Sequence, residues 1–253
     1  MSSNRPYGMI CPITRACDVL EPRWTVPILV ALWGGETRFN DLRRAIGSIS
    51  PALLSRRLKE MEEKGLIERV EDRAAGTVDY IRTDLAIALE PALNALALWA
   101  QQGLEAEFAL RTAKASVVMW KMRRLFNRDE LPKRRVVMQF HFNEDLKTDT
   151  YWAVSQPGAP VEVCSAIPGF DIDLFVETTT VSLLGILLGR TTIAREQDLG
   201  ALFLSGDRVL ARTMDRWLLK SSYAEFDRIQ PLPDIGRSLA KPVVRRGEEA
   251  SLA

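Results

Sequence analysis

Apolar positions in the first third of the chain recur at helical spacing and then switch to strand spacing. Leu20 to Trp33 is an apolar run that predicts a helix, ended by Gly34-Gly35. Thr37 is placed to cap a short helix carrying Phe39, Leu42 and Ile46 on one face, and Gly47 breaks it. Ser50-Pro51 is a helix start, with the serine oxygen as cap and the proline at the first helical position. Leu54, Leu58 and Met61 follow four and three residues apart, which predicts one buried face, and Gly65 stands where a C-terminal cap glycine belongs. Leu66–Glu71 and Thr77–Thr83 are short β-prone runs joined by Asp72-Arg73-Ala74-Ala75-Gly76, a predicted hairpin tip.

A second helical stretch is expected from about Leu85 to Phe108, with Leu89, Leu93, Leu96, Ala100 and Leu104 as its apolar stripe. A basic helical connector is expected from Arg111 to Arg135, closed by Leu131-Pro132-Lys133. The remainder alternates at strand period. Val136, Met138, Phe140 and Phe142 share one side, Tyr151–Ser155 and Val161–Ser165 read as strands, and Ile172, Leu174 and Val176 form another alternating run. Val181–Leu188 is an apolar helix ending at Gly189, Leu199–Leu204 a strand, and Arg208–Leu219 a final helix. The expected organisation is therefore α+β. Residues 1–110 form a winged helix-turn-helix for DNA binding and dimerisation, 111–135 a connector, 136–223 an α+β ligand domain, and 224–253 a polar, flexible tail.

Composition changes this picture little. The net charge is +1, so the chain total says nothing of partners. Local charge does. Arg38, Arg43, Arg44, Arg56, Arg57 and Lys59 face a single acid, Asp41, within the span 38–59, and a basic block can bind phosphates even in a neutral protein. With three cysteines, irregularly spaced, no disulfide framework is expected. No apolar stretch reaches the ~18 residues of a membrane span, and the first residues lack a signal pattern, so a cytoplasmic location without membrane association is expected. Nothing resembles a nucleophile–base pair or a phosphate loop. With a single histidine, His141, no histidine-based metal site or catalytic triad is expected, and Asp171 and Asp173 read as surface acids. No catalytic residue, metal or cofactor is expected, and the chain is not expected to be an enzyme.

The chemistry concentrates on the helix from Pro51. With Leu54, Leu58 and Met61 turned inward, Ala52, Ser55, Arg56 and Lys59 are left outside. In a major groove arginine reaches guanine edges, serine bonds bases or phosphates, and alanine meets a thymine methyl. Arg38, Asn40, Arg43 and Arg44 on the preceding helix and Ser50 at the cap are placed to contact the backbone and set the register, and Arg73 at the hairpin tip to touch the flanking groove. Taken alone, such a stretch also reads as an amphipathic helix with a solvated face. The order of elements decides for double-stranded DNA: short helix, tight turn, Ser-Pro-started helix, arginine-tipped hairpin.

The span Cys11–Gln101 resembles the HxlR-type winged-helix family. Cys11-Pro12, Arg23-Trp24-Thr25, Arg38-Phe39-Asn40-Asp41-Leu42, Ile49-Ser50-Pro51, Leu54–Met61 and Lys64–Arg69 carry the resemblance. It implies a transcriptional regulator acting as a homodimer on an inverted-repeat operator, with the helix Leu89–Leu104 helping to form the dimer. At Cys11 some relatives carry a redox or electrophile sensor; an inert thiol is the other reading. Glu21-Pro22-Arg23-Trp24 departs from the family's Gly-Gly-Lys-Trp turn.

Residues 136–223 resemble sterol-carrier-protein-like domains. The resemblance lies in Phe170-Asp171-Ile172-Asp173-Leu174, Val181–Leu188 with Gly189-Arg190, and Gly200–Asp207. It implies an apolar cavity, with Trp152, Phe175, Leu183, Leu184, Leu187 and Phe203 as candidate lining, although the same residues also read as plain core. An apolar small-molecule effector bound there would control operator affinity, more plausibly of a repressor than an activator. The alternative is a lipid-binding or carrier protein whose winged helix is a protein-interaction module.

Overall fold

Proline and glycine positions divide the helical first third more finely than its hydrophobic pattern suggests. The structure, a computed structural model, describes residues 7–8, 10–110, 113–144 and 147–234. The chain divides by its internal contacts into two units, Met1–Leu96 and Ala97–Ala253.

The first unit runs α1 (Pro12–Leu20), α2 (Thr25–Trp33), α3 (Phe39–Ile46), α4 (Pro51–Glu63), β1 (Ile67–Asp72), β2 (Thr77–Arg82), α5 (Asp84–Ala88) and α6 (Glu90–Gly103). The division into units falls inside α6 rather than at residue 110. The helix expected over Leu20–Trp33 is two helices. Pro22 cannot donate to a preceding turn, and Trp24 takes a left-handed backbone at φ 86°. Thr25 restarts the chain, its backbone N–H and its hydroxyl both donating to the Pro22 carbonyl, at 3.0 and 2.7 Å. The stretch expected as one helix from Leu85 to Phe108 is interrupted in the same way. Leu89 breaks it before Pro91, which sits in the first turn of α6, and a second break precedes α7 (Ala106–Leu110).

Ile28, Leu29, Leu42, Leu54, Leu58, Met61, Leu66 and Ile67 are buried, so the predicted inner face of α4 is the observed one. α2 packs on α3 and β2, and α4 on β1. The hairpin pairs Ile67 with Arg82 through Asp72 with Thr77.

The second unit continues with α7, α8 (Ala115–Met122), β3 (Val136–Glu144), β4 (Lys147–Ser155), β5 (Glu162–Cys164), β6 (Leu174–Thr178), α9 (Thr180–Leu187), α10 (Ile193–Asp198), β7 (Leu202–Gly206), α11 (Arg208–Arg212), α12 (Met214–Trp217) and a 3-10 turn at Ser222–Glu225. The strands form one sheet in the order β5-β4-β3-β6-β7, with β3 and β6 parallel and the other pairs antiparallel. One face carries Val136, Met138, Phe140, Phe142, Leu174, Val176 and Leu202. These pack with α8, α9, α11 and α12 through Val118, Met119, Met122, Leu183, Leu187, Leu210, Met214 and Trp217. On the opposite face lie Val137, Trp152 and Val154 with Cys164 and Ile172.

Three sequence expectations change here. Within the segment expected as a connector, residues 113–135 contribute to the core of the second unit. Ala115, Val118, Met119 and Met122 recur at i, i+3, i+4 and i+7 and are buried, with Phe126 and Leu131, in the core of the second unit. The strand expected from Leu199 begins at Leu202, because α10 precedes it and its last turn occupies Leu199–Gly200. The tail is not loose from residue 224. Leu232 is 1 % exposed among Ala106 and Leu110, and its backbone N–H donates to the Arg190 carbonyl at 2.7 Å. The tail beyond residue 234 lies outside the described residues.

Arg190 is buried in the second unit. Its guanidinium donates to Gln101 Oε1 at 2.9 Å and to the carbonyls of Gln230 at 3.0 Å and Ala100 at 3.3 Å, and burial lowers its pKa from the usual arginine value. It shares the Ala100 carbonyl in the last turn of α6 with the Leu104 N–H, and it also donates to the Leu104 carbonyl just beyond the helix at 3.4 Å.

Candidate nucleic-acid interface

Two short helices and a hairpin tip set the candidate surface, and each is fixed by local chemistry. The Ser50 hydroxyl accepts from the Leu53 backbone N–H at 3.3 Å, capping α4, and Pro51 at the first position leaves no amide unmet. The hairpin tip is held by Asp72, whose carboxylate accepts from the Ala74 and Ala75 backbone N–H groups at 2.9 and 3.0 Å. Arg73 projects between these anchors.

Arg38, Asn40, Arg43, Arg44, Ser50, Ala52, Ser55, Arg56, Lys59 and Arg73 are all exposed. On α4 the exposed set lies opposite Leu54, Leu58 and Met61. Arg57 differs: it is half-buried and paired with Glu60, so it belongs to the scaffold. The exposed cations hold loose partners on their own helices, Arg56–Glu60 at 3.8 Å, Lys59–Glu63 at 3.9 Å and Arg44–Asp41 at 3.2 Å. Surface pairs of this kind are worth ~1 kcal/mol or less, so a phosphate displaces the carboxylate at small cost.

The contacts that position this surface were not read from the sequence. The Thr37 hydroxyl donates to Asp79 Oδ1 at 2.6 Å, the Tyr80 backbone N–H donates to the Thr37 carbonyl at 2.9 Å, and Arg38 lies 3.8 Å from Asp79. The start of α3 is thereby stitched to β2 of the hairpin. Lys64 Nζ donates to the Asp18 carbonyl at 3.0 Å and ties the end of α4 to α1. These partners lie more than forty residues apart in sequence, and no local pattern announces them.

The six residues proposed to line one apolar cavity are not brought together. Leu183 and Leu187 are buried on the helix-covered face of the sheet, with Leu184 packed beside them. Trp152 belongs to the opposite face. Phe175 and Phe203 alternate with the inward residues Leu174, Val176, Leu202 and Leu204, which sets them on that same opposite face, and Phe175 is 42 % exposed. Strand alternation, not depth in the core, separates the two groups.

Cys11 is exposed just before α1, and Cys17 and Cys164 are half-buried; all three are free thiols. Burial pushes the Cys164 thiol up, and its Sγ donates to the Ala166 carbonyl at 3.2 Å. His141 Nδ1 lies 2.9 Å from the Thr150 hydroxyl. Asp173 is no idle surface acid. Its carboxylate accepts from the Val137 backbone N–H at 2.8 Å and from Arg134 at 2.7 Å, where β3 and β6 begin to pair. Among the described residues no group of His, Cys, Asp and Glu is arranged to hold a metal ion, and no helix is long and apolar enough to cross a membrane.

Comparison with known proteins places this surface in context. Residues 19–108 match the family model described as HxlR-like helix-turn-helix. The HTH-type transcriptional regulator YvaP of Bacillus subtilis is 34 % identical over 101 residues, which span 39 % of this chain and 94 % of that protein. YtfH of Escherichia coli, described in the same terms, is 35 % identical over 107 residues, 42 % of this chain and 85 % of that protein. Among solved structures, the reduced form of the B. subtilis transcriptional regulator YodB is 32 % identical, with a TM-score of 0.35, over 38 % of this chain and 97 % of that one.

Proposed function

The chain belongs to the HxlR-like helix-turn-helix family and is a transcriptional regulator of the winged-helix type; on that premise we propose that it binds an inverted-repeat operator as a homodimer and represses the promoter it covers. The observation that carries the reading is the outer face of α4, where Ala52, Ser55, Arg56 and Lys59 stand exposed over a fully buried apolar face. α4 enters the major groove and reads base edges, Arg38, Asn40, Arg43, Arg44 and Ser50 hold phosphates, and Arg73 reaches the flanking groove. The sign of regulation depends on where the operator lies relative to the promoter; repression is the outcome where the two overlap.

Support for the dimer comes from apolar side chains that the first unit leaves in solvent. Ile10, Ile13, Leu85, Ile87 and Leu96 are exposed, Leu96 to 56 %. Single exposed apolar residues are ordinary, but this many on and just before α1, on α5 and on α6 read as a face awaiting a second copy. Selection from a random duplex library is expected to return two half-sites related by inversion, their centres about one helical turn or a multiple of it apart. Leu96→Glu places a charge in the proposed seam. It is expected to weaken the dimer at least about a hundredfold in sedimentation, the sum of lost burial and a desolvated carboxylate. Single half-sites from the wild-type selection, or an unchanged L96E dimer, contradict the reading.

The second unit is the proposed effector domain, sterol-carrier-like in kind, supported by its five-stranded mixed sheet with helices packed on one face. An apolar effector would sit among Leu183, Leu184 and Leu187 on the helix side, not against Trp152, Phe175 or Phe203. It alters operator affinity only to the extent that it binds the two states of the regulator unequally. Cys11, exposed beside α1, is the proposed site should the regulator also respond to oxidants.

A further inference from the structure

A cleft of about 440 Å³ opens in the second unit, between the chain that follows α8 and the turn joining β4 to β5. That volume lies within the ~300–1,000 Å³ typical of small-molecule sites. Its apolar lining includes Phe126 and Leu219, with Pro132 and Pro157; its polar lining includes Arg128, Lys133 and Ser155.

The lining is held in place. The Asn127 backbone N–H donates to the Trp217 carbonyl and the Leu219 N–H to the Leu125 carbonyl, both at 2.8 Å. The Phe126 ring stacks on Trp217 with centroids 5.7 Å apart. Asn127 Oδ1 accepts from the Asp129 N–H at 3.2 Å, and the buried Leu131 anchors the far end of the turn. Arg128 Nη1 donates to the Ala159 carbonyl at 2.8 Å, which fixes the guanidinium across the cleft and leaves its other donors unspent. Ser155 is 4 % exposed overall and contributes to the lining of the same cleft.

We propose that the cleft binds a small amphipathic carboxylate. The carboxylate accepts from Arg128 and from the Ser155 hydroxyl, Lys133 adds charge, and the apolar part lies against Phe126 and Leu219. Asp129, the one acid of the lining, pairs with Lys133 at 3.3 Å. The balance is positive and favours an anion over an amine of the same bulk. None of Leu183, Leu184 and Leu187 lines this cleft, so the proposal stands apart from the effector position given above.

Titration calorimetry on the full chain tests the site with octanoate and benzoate, and with octylamine and octanol as matched controls. One carboxylate per chain is expected, with the amine not binding. Arg128→Ala, at an exposed position that leaves the core untouched, is expected to weaken octanoate at least tenfold, and Ser155→Ala by a smaller factor. Amide shifts should centre on Asn127, Ser155 and Gly158. Carboxylates that fail to bind below about 1 mM, an R128A protein that binds like wild type, or octylamine binding as tightly as octanoate overturns the proposal. Carboxylate binding that leaves DNA affinity unaltered supports the site and assigns it no part in regulating the DNA-binding unit.

Discussion

Replacing Arg56 by alanine is expected to weaken binding to the selected operator tenfold to about a hundredfold and to relax the preference at one base pair of each half-site. Arg56 is exposed on the outer face of α4, and among the described residues it pairs with Glu60, one turn along, at 3.8 Å. Neither feature ties it to the fold, so the variant should melt like wild type. The change in specificity separates a base contact from a phosphate contact. A phosphate contact lowers affinity evenly across all sequences and reduces the salt slope by about one. Arg43→Ala is the natural comparison, since Arg43 sits on α3 where backbone contacts are expected. If R56A weakened every duplex equally, α4 would lie along the backbone and not in the groove.

Gly206→Ala is expected to cost the second unit about 3 kcal/mol or more, a fall of roughly 6–12 °C in Tm. Two effects add. Gly206 holds φ at 114°, a conformation that side chains resist, and a Cβ built there would stand 2.3 Å from the Asp173 carbonyl oxygen. That carbonyl cannot retreat, because the Asp207 N–H donates to it at 2.8 Å and the Asp173 backbone N–H and side chain are both bonded to Val137 at the start of β3. The clash is therefore met at the junction of β3, β6 and β7, the middle and edge of the sheet. Calorimetric melting checks it, and a G206A protein with unaltered melting would mean that this junction yields more easily than its hydrogen bonds imply.

How much of this was legible in the sequence follows from the range over which each signal acts. α4 was readable because its cap, its first proline and its 54–58–61 spacing all lie within one helix and agree. The hairpin was readable for the same reason. In the segment 111–135 nine basic residues dominate the composition, while Ala115, Val118, Met119 and Met122 carry the spacing of a buried helix face. Charge at the end of α8 and in the following chain says nothing of its other side. The grouping of Trp152 and Phe175 with Leu183 ignored the parity of the strands: Phe175 alternates with Leu174 and Val176, so it could not share their face. By contrast, the left-handed Trp24, the Thr37–Asp79 stitch and the buried Arg190 have no local signature. They exist only because tertiary packing brings distant groups together.

The central claim is that the exposed faces of α3 and α4 hold DNA sequence-specifically. Competition binding of the full chain to its selected duplex against a scrambled duplex, at 50 and 200 mM salt, tests it most directly. Preference for the selected duplex at both concentrations, with affinity falling by about 10³ or more between them, is the predicted result for a dimer that neutralises at least six phosphates. Equal affinity for both duplexes, or binding indifferent to salt, would contradict it.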